Sequence, residues 1–301
     1  MFQSFEQIEA HVLGLGIRKK IALAGANDHE ALTALVDAKR RGIAQGVLVG
    51  DGEGIRRELA ALGESEAEYE IVEAAGETQA AQTACRLVAQ GGADIPMKGL
   101  MQTATFMRAI LNKEFGFVPE GTLLSHSILV ENTLEKKLFL ITDCVINIAP
   151  DYADKVKILN NAVALMHKLG WETPRVAVLA PVEVVNPNMP STVDAAMLSK
   201  AQQRGQIKGC LVDGPLGLDN AVSPEAARHK GIQSEVAGVA DILLMPDIGA
   251  GNIFCKSLTY FARFPNAGAM TGTTVPVVMT SRTDTPRDKL NAILLAILQA
   301  L

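Results

Sequence analysis

The stretch KIALAGANDHEALTALVDAKRRGIAQGVLVG, residues 20–50, sets the pattern of this chain. KIALA is a short apolar run of the kind that forms a strand buried on both faces. A glycine turn follows. DHEALTALVDAKRRG then places its apolar residues at helical spacing, and GVLVG is a second short apolar run. Strand, helix, strand is the repeating unit of a parallel α/β layer. The pattern continues through a helix over residues 55–62, the strand YEIVEA, a helix over 77–90, the stretch GADIPMKG and a helix over 103–111. The fold class expected is α/β, with layered sheets and helices.

SHSILVENTLEKKLFLITD, residues 125–143, interrupts the alternation. Two extended segments separated by NTLEKK predict an antiparallel excursion. The alternation resumes with a helix over 151–169. RVAVLA, GCLVDG, DILLMPD and VPVVMT are further strand candidates, and helices are expected over 191–203, 223–229 and 252–264. A change of domain is placed near residue 140.

Composition narrows the function classes. Of 301 residues, 48% are hydrophobic, 20% charged and only 4% aromatic, with 26 glycines, which suits packed α/β layers and excludes a disordered chain. A formal net charge of -5 and the lack of a basic stripe argue against a nucleic-acid track. Cys85, Cys144, Cys210 and Cys255 form no CxxC pair and are expected as buried, reduced thiols. No signal-like apolar core opens the chain, and no 18-residue apolar run occurs, so a cytoplasmic protein without a membrane anchor is expected. The histidines are scattered and suggest no metal centre. Gly14 and Gly16 precede the first strand, whereas a dinucleotide fingerprint needs its glycines after it. No phosphate loop, HExxH or GxSxG motif is present.

Several polar residues remain. Asp213 and Asp247 end strand candidates, and Ser223, Lys230, Ser234 and Asn252 lie in glycine-rich turns around them. Capping and turn formation explain each one taken singly. Arg108 lies in LMQTATFMRAILNKEFG, with Lys98 and Gly99 upstream. The last segment, VVMTSRTDTPRDKLNAILLAILQAL, puts Ser281 just beyond a predicted strand. Thr285 and Pro286 fit the N-cap and first turn of a helix, with Asp288 at the third helical position. The N–H groups of a helix start favour an anion, and Arg282 can add bidentate phosphate contacts. Ser281 can orient a nucleophile. Asp288 is a base, a cap, or both.

The stretches VDGPLGLDNAVSPEAARHKGIQSEVAGVADILLMPDIGAGNIFCKSLTYFA, AGAMTGTTVPVVMTSRTD and, more loosely, MKGLMQTATFMRAILNKEFG resemble the phosphate acetyltransferase and phosphate butyryltransferase family. DGPLGLDNAVS and HKG are closer to the butyryl branch. The resemblance implies two α/β domains with an active-site cleft between them: residues 1–140 completed by 285–301, and residues 141–284. It also implies a homodimer. The implied activity is reversible transfer of a short-chain acyl group between coenzyme A and inorganic phosphate, with CoA, acyl-CoA, phosphate and acyl phosphate as substrates. No metal or redox cofactor is required. Ser281, Arg282 and Asp288 match the family's catalytic positions, and Arg108 its arginine in the first domain. Asn252 joins Arg108 and Arg282 as a candidate substrate ligand. Gly249, in PDIGAGN, stands where the butyryl branch commonly has an acid. A synthase acting on longer acyl chains and a non-catalytic CoA or acyl-phosphate binding protein are the alternatives.

Overall fold

The computed structural model describes residues 1–301 and divides them into two compact units. A terminal unit holds Phe5–Thr122 and Ala267–Leu301, and a central unit holds Met1–Ser4 and Leu123–Asn266. The first division falls before residue 125, earlier than the 140 read from the sequence. The two strands that follow it pair with one another and stay in one unit.

In the terminal unit the chain runs through α1 (Phe5–Gly14), β1 (Lys19–Ala24), α2 (His29–Arg40), β2 (Ala44–Gly50), α3 (Gly52–Ala61), β3 (Glu70–Glu73), α4 (Gly76–Ala89), β4 (Ile95–Lys98) and α5 (Thr103–Ile110). The strands form a parallel sheet in the order β3-β2-β1-β4. Ile21, Ala22, Leu23 and Ala24 are fully buried, as a strand covered by helices on both faces requires. Asp28 caps α2 by accepting from the Ala31 N–H at 3.0 Å. The sequence pattern begins at β1 and does not include α1, which buries Phe5, Ile8 and Val12.

The strand order has a functional consequence. From β1 the chain steps outward to β2 and β3, then returns to place β4 on the other side of β1. Open α/β sheets receive ligands beyond the C-terminal strand ends at such a reversal. There the backbones touch: the Gly99 N–H donates to Ala24 O at 2.8 Å, and the Leu100 N–H to Gly25 O at 2.9 Å. A Cβ on Gly99 would stand 2.4 Å from Gly25 O and 2.9 Å from Ala24 O.

The central unit continues with β5 (Ser125–Asn132), β6 (Lys137–Thr142), α6 (Tyr152–Lys168), β7 (Arg175–Leu179), α7 (Pro190–Gln203), β8 (Leu211–Leu216), α8 (Leu218–Val222), α9 (Pro224–His229), β9 (Ile242–Leu244) and α10 (Ile248–Ser257). Its strands lie side by side as β5-β6-β9-β7-β8. β5 and β6 are the expected antiparallel hairpin, with Asn132 opposite Lys137, and the other pairings are parallel. α10 starts before the expected residue 252, because Asp247 caps it by accepting from the Ala250 N–H at 2.9 Å.

The chain then passes through β10 (Asn266–Thr271) to α11 (Pro286–Gln299). Between them VPVVMT is not the full strand read from its composition. It makes one parallel bridge, Met97 to Val278. The Lys98 N–H donates to Val278 O at 2.9 Å, and the Val278 N–H to Pro96 O at 3.0 Å. Two residues upstream, the next position facing β4 is Pro276, which has no N–H to extend the ladder. α11 is buried continuously from Lys289 to Leu298, as befits a core helix. Glu9 of α1 ties it in by pairing with Arg287 at 3.1 Å and with Arg41 at 2.6 Å.

Gly99→Ala is expected to destabilise the protein by about 1–3 kcal/mol through overpacking of the β1–β4 junction. Urea denaturation followed by circular dichroism checks this. A variant as stable as the parent would show that the junction relaxes freely.

Candidate active site

The Val278 bridge runs parallel to β4, so Lys98 and the residues after Val278 leave the sheet at the same C-terminal edge. The chain turns there at once. The Asp284 N–H donates to Ser281 O at 3.2 Å, and the Ser281 N–H donates to Asp284 Oδ2 at 2.7 Å. Ser281 Oγ lies 3.0 Å from Thr283 Oγ1 and accepts from the Thr283 N–H at 3.4 Å. Four residues are thus locked by their own hydrogen bonds. Arg282 stands at the turn's corner, exposed, with no hydrogen bond or ion pair to hold its guanidinium.

α11 starts directly after this turn. Thr285 Oγ1 accepts from the Asp288 N–H at 3.1 Å and donates to Asp288 Oδ2 at 2.6 Å. The capping reading of Asp288 is therefore realised in the structure. In the usual capping box the acid reaches the N-cap N–H; here an aspartate, one methylene shorter than glutamate, takes the hydroxyl. A carboxylate already sits at the start of α11, so the positive end of the helix has an anion of its own. Attraction for a second anion has to come from side chains.

Two buried lysines lie close to this turn. Lys289 is 1% exposed, and its Nζ donates to Ser281 O at 2.7 Å and Thr280 Oγ1 at 3.4 Å. Lys98 is 3% exposed, and its Nζ donates to Gly99 O at 3.3 Å. Neither ammonium is paired with a carboxylate. Burial pushes the Lys98 pKa down, the Lys289 charge adds to that, and Arg282 acts in the same direction, while Asp28 and Asp284 oppose it. Lys98 lies in the loosely matching stretch MKGLMQTATFMRAILNKEFG, and Lys289 in none of the three matching stretches. Their signal in the sequence is a lone cation in an apolar context: IPMK in a buried strand and KLNAILLAIL in a core helix.

The other candidates are placed differently. Arg108 lies on α5, exposed, and folds back on its own helix, with Nε donating to Ala104 O at 3.2 Å and Nη2 to Thr105 Oγ1 at 3.3 Å. No hydrogen bond or ion pair joins it to Ser281, Arg282 or Asp288. Asn252 belongs to the central unit, where its Nδ2 donates to Cys144 O at 3.2 Å. The polar residues around it have local roles. Ser223 caps α9, Asp247 caps α10, Asp213 accepts from the Gly214 N–H, and Lys230 pairs with Glu183 and Asp219. Gly249 is exposed, and a Cβ there would stand 3.2 Å from Asp247 Oδ1. All four cysteines are buried and free, with burial pushing Cys85 up to about 12 and Cys210 up to about 11. No three His, Cys, Asp or Glu residues stand together as a metal site, and no helix is long and apolar enough to cross a membrane.

A family model described as "Phosphate acetyl/butaryl transferase" matches residues 62–297. The chain belongs to this family. It is 48% identical over 300 residues to a phosphate butyryltransferase of Clostridium acetobutylicum, covering 100% of this chain and 99% of that protein. It is 41% identical over 281 residues to a phosphate acetyltransferase of Thermotoga maritima, covering 93% and 95%. Among solved structures, a branched-chain phosphotransacylase from Enterococcus faecalis superposes with a TM-score of 0.84 at 36% identity, over 94% of this chain and 99% of that one. The α/β fold with two sheets is the fold of these transferases.

Removing the cap by Thr285→Ala is expected to cost about 1 kcal/mol. Arg282→Ala should leave stability within about 0.5 kcal/mol, because the guanidinium is exposed and holds nothing. Paired urea melts of the two variants check the contrast, and a large loss for Arg282→Ala would reveal a structural role.

Proposed function

We propose that this member of the phosphate acetyl/butyryl transferase family moves a short-chain acyl group reversibly between coenzyme A and inorganic phosphate. One observation carries the reading: Arg282 stands exposed and unpaired on the hydrogen-bonded turn that joins Ser281 to Asp284. An arginine presented on a locked turn is preorganised for a phosphate, whose oxygens match its planar fork.

The chemistry follows from these roles. In one direction a phosphate oxygen, oriented by Arg282, attacks the thioester carbonyl carbon. The carbon–sulfur bond breaks, leaving acyl phosphate and the CoA thiolate, which takes a proton. In reverse, Asp288 accepts the thiol proton as sulfur attacks the carbonyl carbon of the acyl phosphate, the carbon–oxygen bond to phosphate breaks and inorganic phosphate leaves, and Ser281 hydrogen-bonds the sulfur. Cationic or backbone donors stabilise the charge that develops on the carbonyl oxygen. Direct transfer between two bound substrates needs no covalent enzyme intermediate, and alignment supplies much of the rate. Arg108 and Asn252 are proposed as further substrate ligands. The protein is proposed to act as a cytoplasmic homodimer. Gly249 lacks the carboxylate common at its position in the butyryl branch, which removes a charge from beside Asp247 and bears on the acyl length preferred.

Release of CoA from acetyl-, propionyl-, butyryl- and longer acyl-CoAs, measured with and without phosphate, tests the reading. Rates that do not depend on phosphate across the panel would remove it. Arg282→Ala is expected to raise the KM for phosphate about 10- to 100-fold, the loss of a charge-assisted contact. Asp288→Asn is expected to lower the CoA-dependent reverse rate by about 10²- to 10⁴-fold with substrate binding retained. If that variant instead loses activity only in proportion to its loss of folded protein, Asp288 is a cap and nothing more.

A further inference from the structure

Lys98 is an anomaly of packing. It ends β4, a strand buried at all four positions, and is itself 3% exposed. The charges within electrostatic reach of its ammonium are Lys289, Asp28, Arg282 and Asp284. Both carboxylates are occupied by backbone N–H groups. Asp28 accepts from Ala31, and Asp284 accepts from Ser281. Neither forms an ion pair with Lys98. Lys289 is committed to Ser281 O and Thr280 Oγ1. Three cations therefore face two engaged carboxylates, and Lys98 has only the carbonyl of its own neighbour, Gly99.

A buried charge without a partner costs several kcal/mol. Folds of marginal stability retain such a group where something else supplies the counter-charge. The position of Lys98 says where that comes from. It lies at the strand-order reversal of a parallel sheet, at the C-terminal edge, next to the turn that carries Arg282.

We propose that Lys98 is a second cationic ligand for the transferred phosphate, holding it from the buried side while Arg282 holds it from the exposed side. This rests on the acyl-transfer reading above and adds a residue to it. The phosphate group meant is that of inorganic phosphate or of the acyl phosphate. The phosphates of CoA are a poorer match, because Ser281 and Asp288 act at the sulfur and the pantetheine arm carries those phosphates far from it. Lysine suits the task as a point charge that tolerates rotation of the phosphate, while arginine fixes its orientation.

The test compares the full-length protein with Lys98→Met, which keeps the stem and removes the charge. Phosphate is varied at saturating butyryl-CoA, and butyryl-CoA is then varied at saturating phosphate. The KM for phosphate is expected to rise about tenfold or more, with the KM for butyryl-CoA within about twofold of the parent. An unchanged phosphate KM, or an equal rise in both constants, overturns the proposal. Thermal melts with inorganic phosphate give a readout independent of turnover. The parent's Tm should climb with phosphate. Lys98→Met should start at the same Tm or higher, since an unmatched buried charge is gone, and should respond far less. A variant that melts lower or does not fold, or that gains as many degrees from phosphate as the parent, overturns the proposal. If the parent shows no phosphate-dependent turnover, the acyl-transfer reading falls while the melts still decide the role of Lys98.

Discussion

Two backbone hydrogen bonds hold this site together. The Lys98 N–H reaches Val278 O, and the Val278 N–H reaches Pro96 O. Without them β4 would be a bare edge, and the segment before α11 would have no fixed register. With them, Lys98 and Ser281 emerge at one edge of one sheet, although 183 positions of sequence separate 98 from 281. The ladder is short because Pro276 cannot extend it upstream. α11 compensates by burying one face after another from Lys289 to Leu298, and the Glu9 pairs with Arg41 and Arg287 bind its first turn to α1 and α2. The core helix anchors the turn, and the turn in turn holds the arginine.

Electrostatics divides the same region into fixed and available charge. Asp28 and Asp284 are spent on backbone N–H groups, Asp288 on Thr285, and Lys289 on the Ser281 carbonyl. Each of these interactions stiffens the turn or a helix start. Arg282 and Lys98 are left over, one exposed and one buried. In a chain with a net charge of -5, two uncommitted cations at one sheet edge are a local reversal of sign. That reversal does not depend on the helix start that the sequence alone suggested, and it is what the proposed anionic substrate would meet.

Much of the fold could be read from the sequence because its signals are local. The alternation of short apolar runs with amphipathic segments located β1 to β4 and α2 to α5, and NTLEKK located the hairpin of β5 and β6. α1 escaped because the alternation starts only at β1. VPVVMT misled for a different reason: its composition is that of a strand, but a ladder needs donors, and Pro276 lacks one. At the site, Ser281, Arg282, Thr285 and Asp288 were legible because they are contiguous and adjoin a helix start. Lys98 and Lys289 were not, since a lone lysine gains meaning only when its burial and its missing carboxylate are known. Asn252 was legible as a candidate, and in the central unit its amide donates to Cys144 O.

Asp288 is a cap in this structure, and the proposed role as a base would ask a second service of the same carboxylate. As a cap it is best when charged, because Thr285 donates to it and the positive end of α11 faces it. As a base it must accept a proton. Protonation would surrender the charge–dipole term, about 0.3–1 kcal/mol, and weaken Oδ2 as an acceptor for the Thr285 hydroxyl. In the proposed reversible transfer the same carboxylate would take a proton in one direction and return it in the other. Thr285, which holds that carboxylate by one hydrogen bond, would then bear on the proposed chemistry as well as on the helix start.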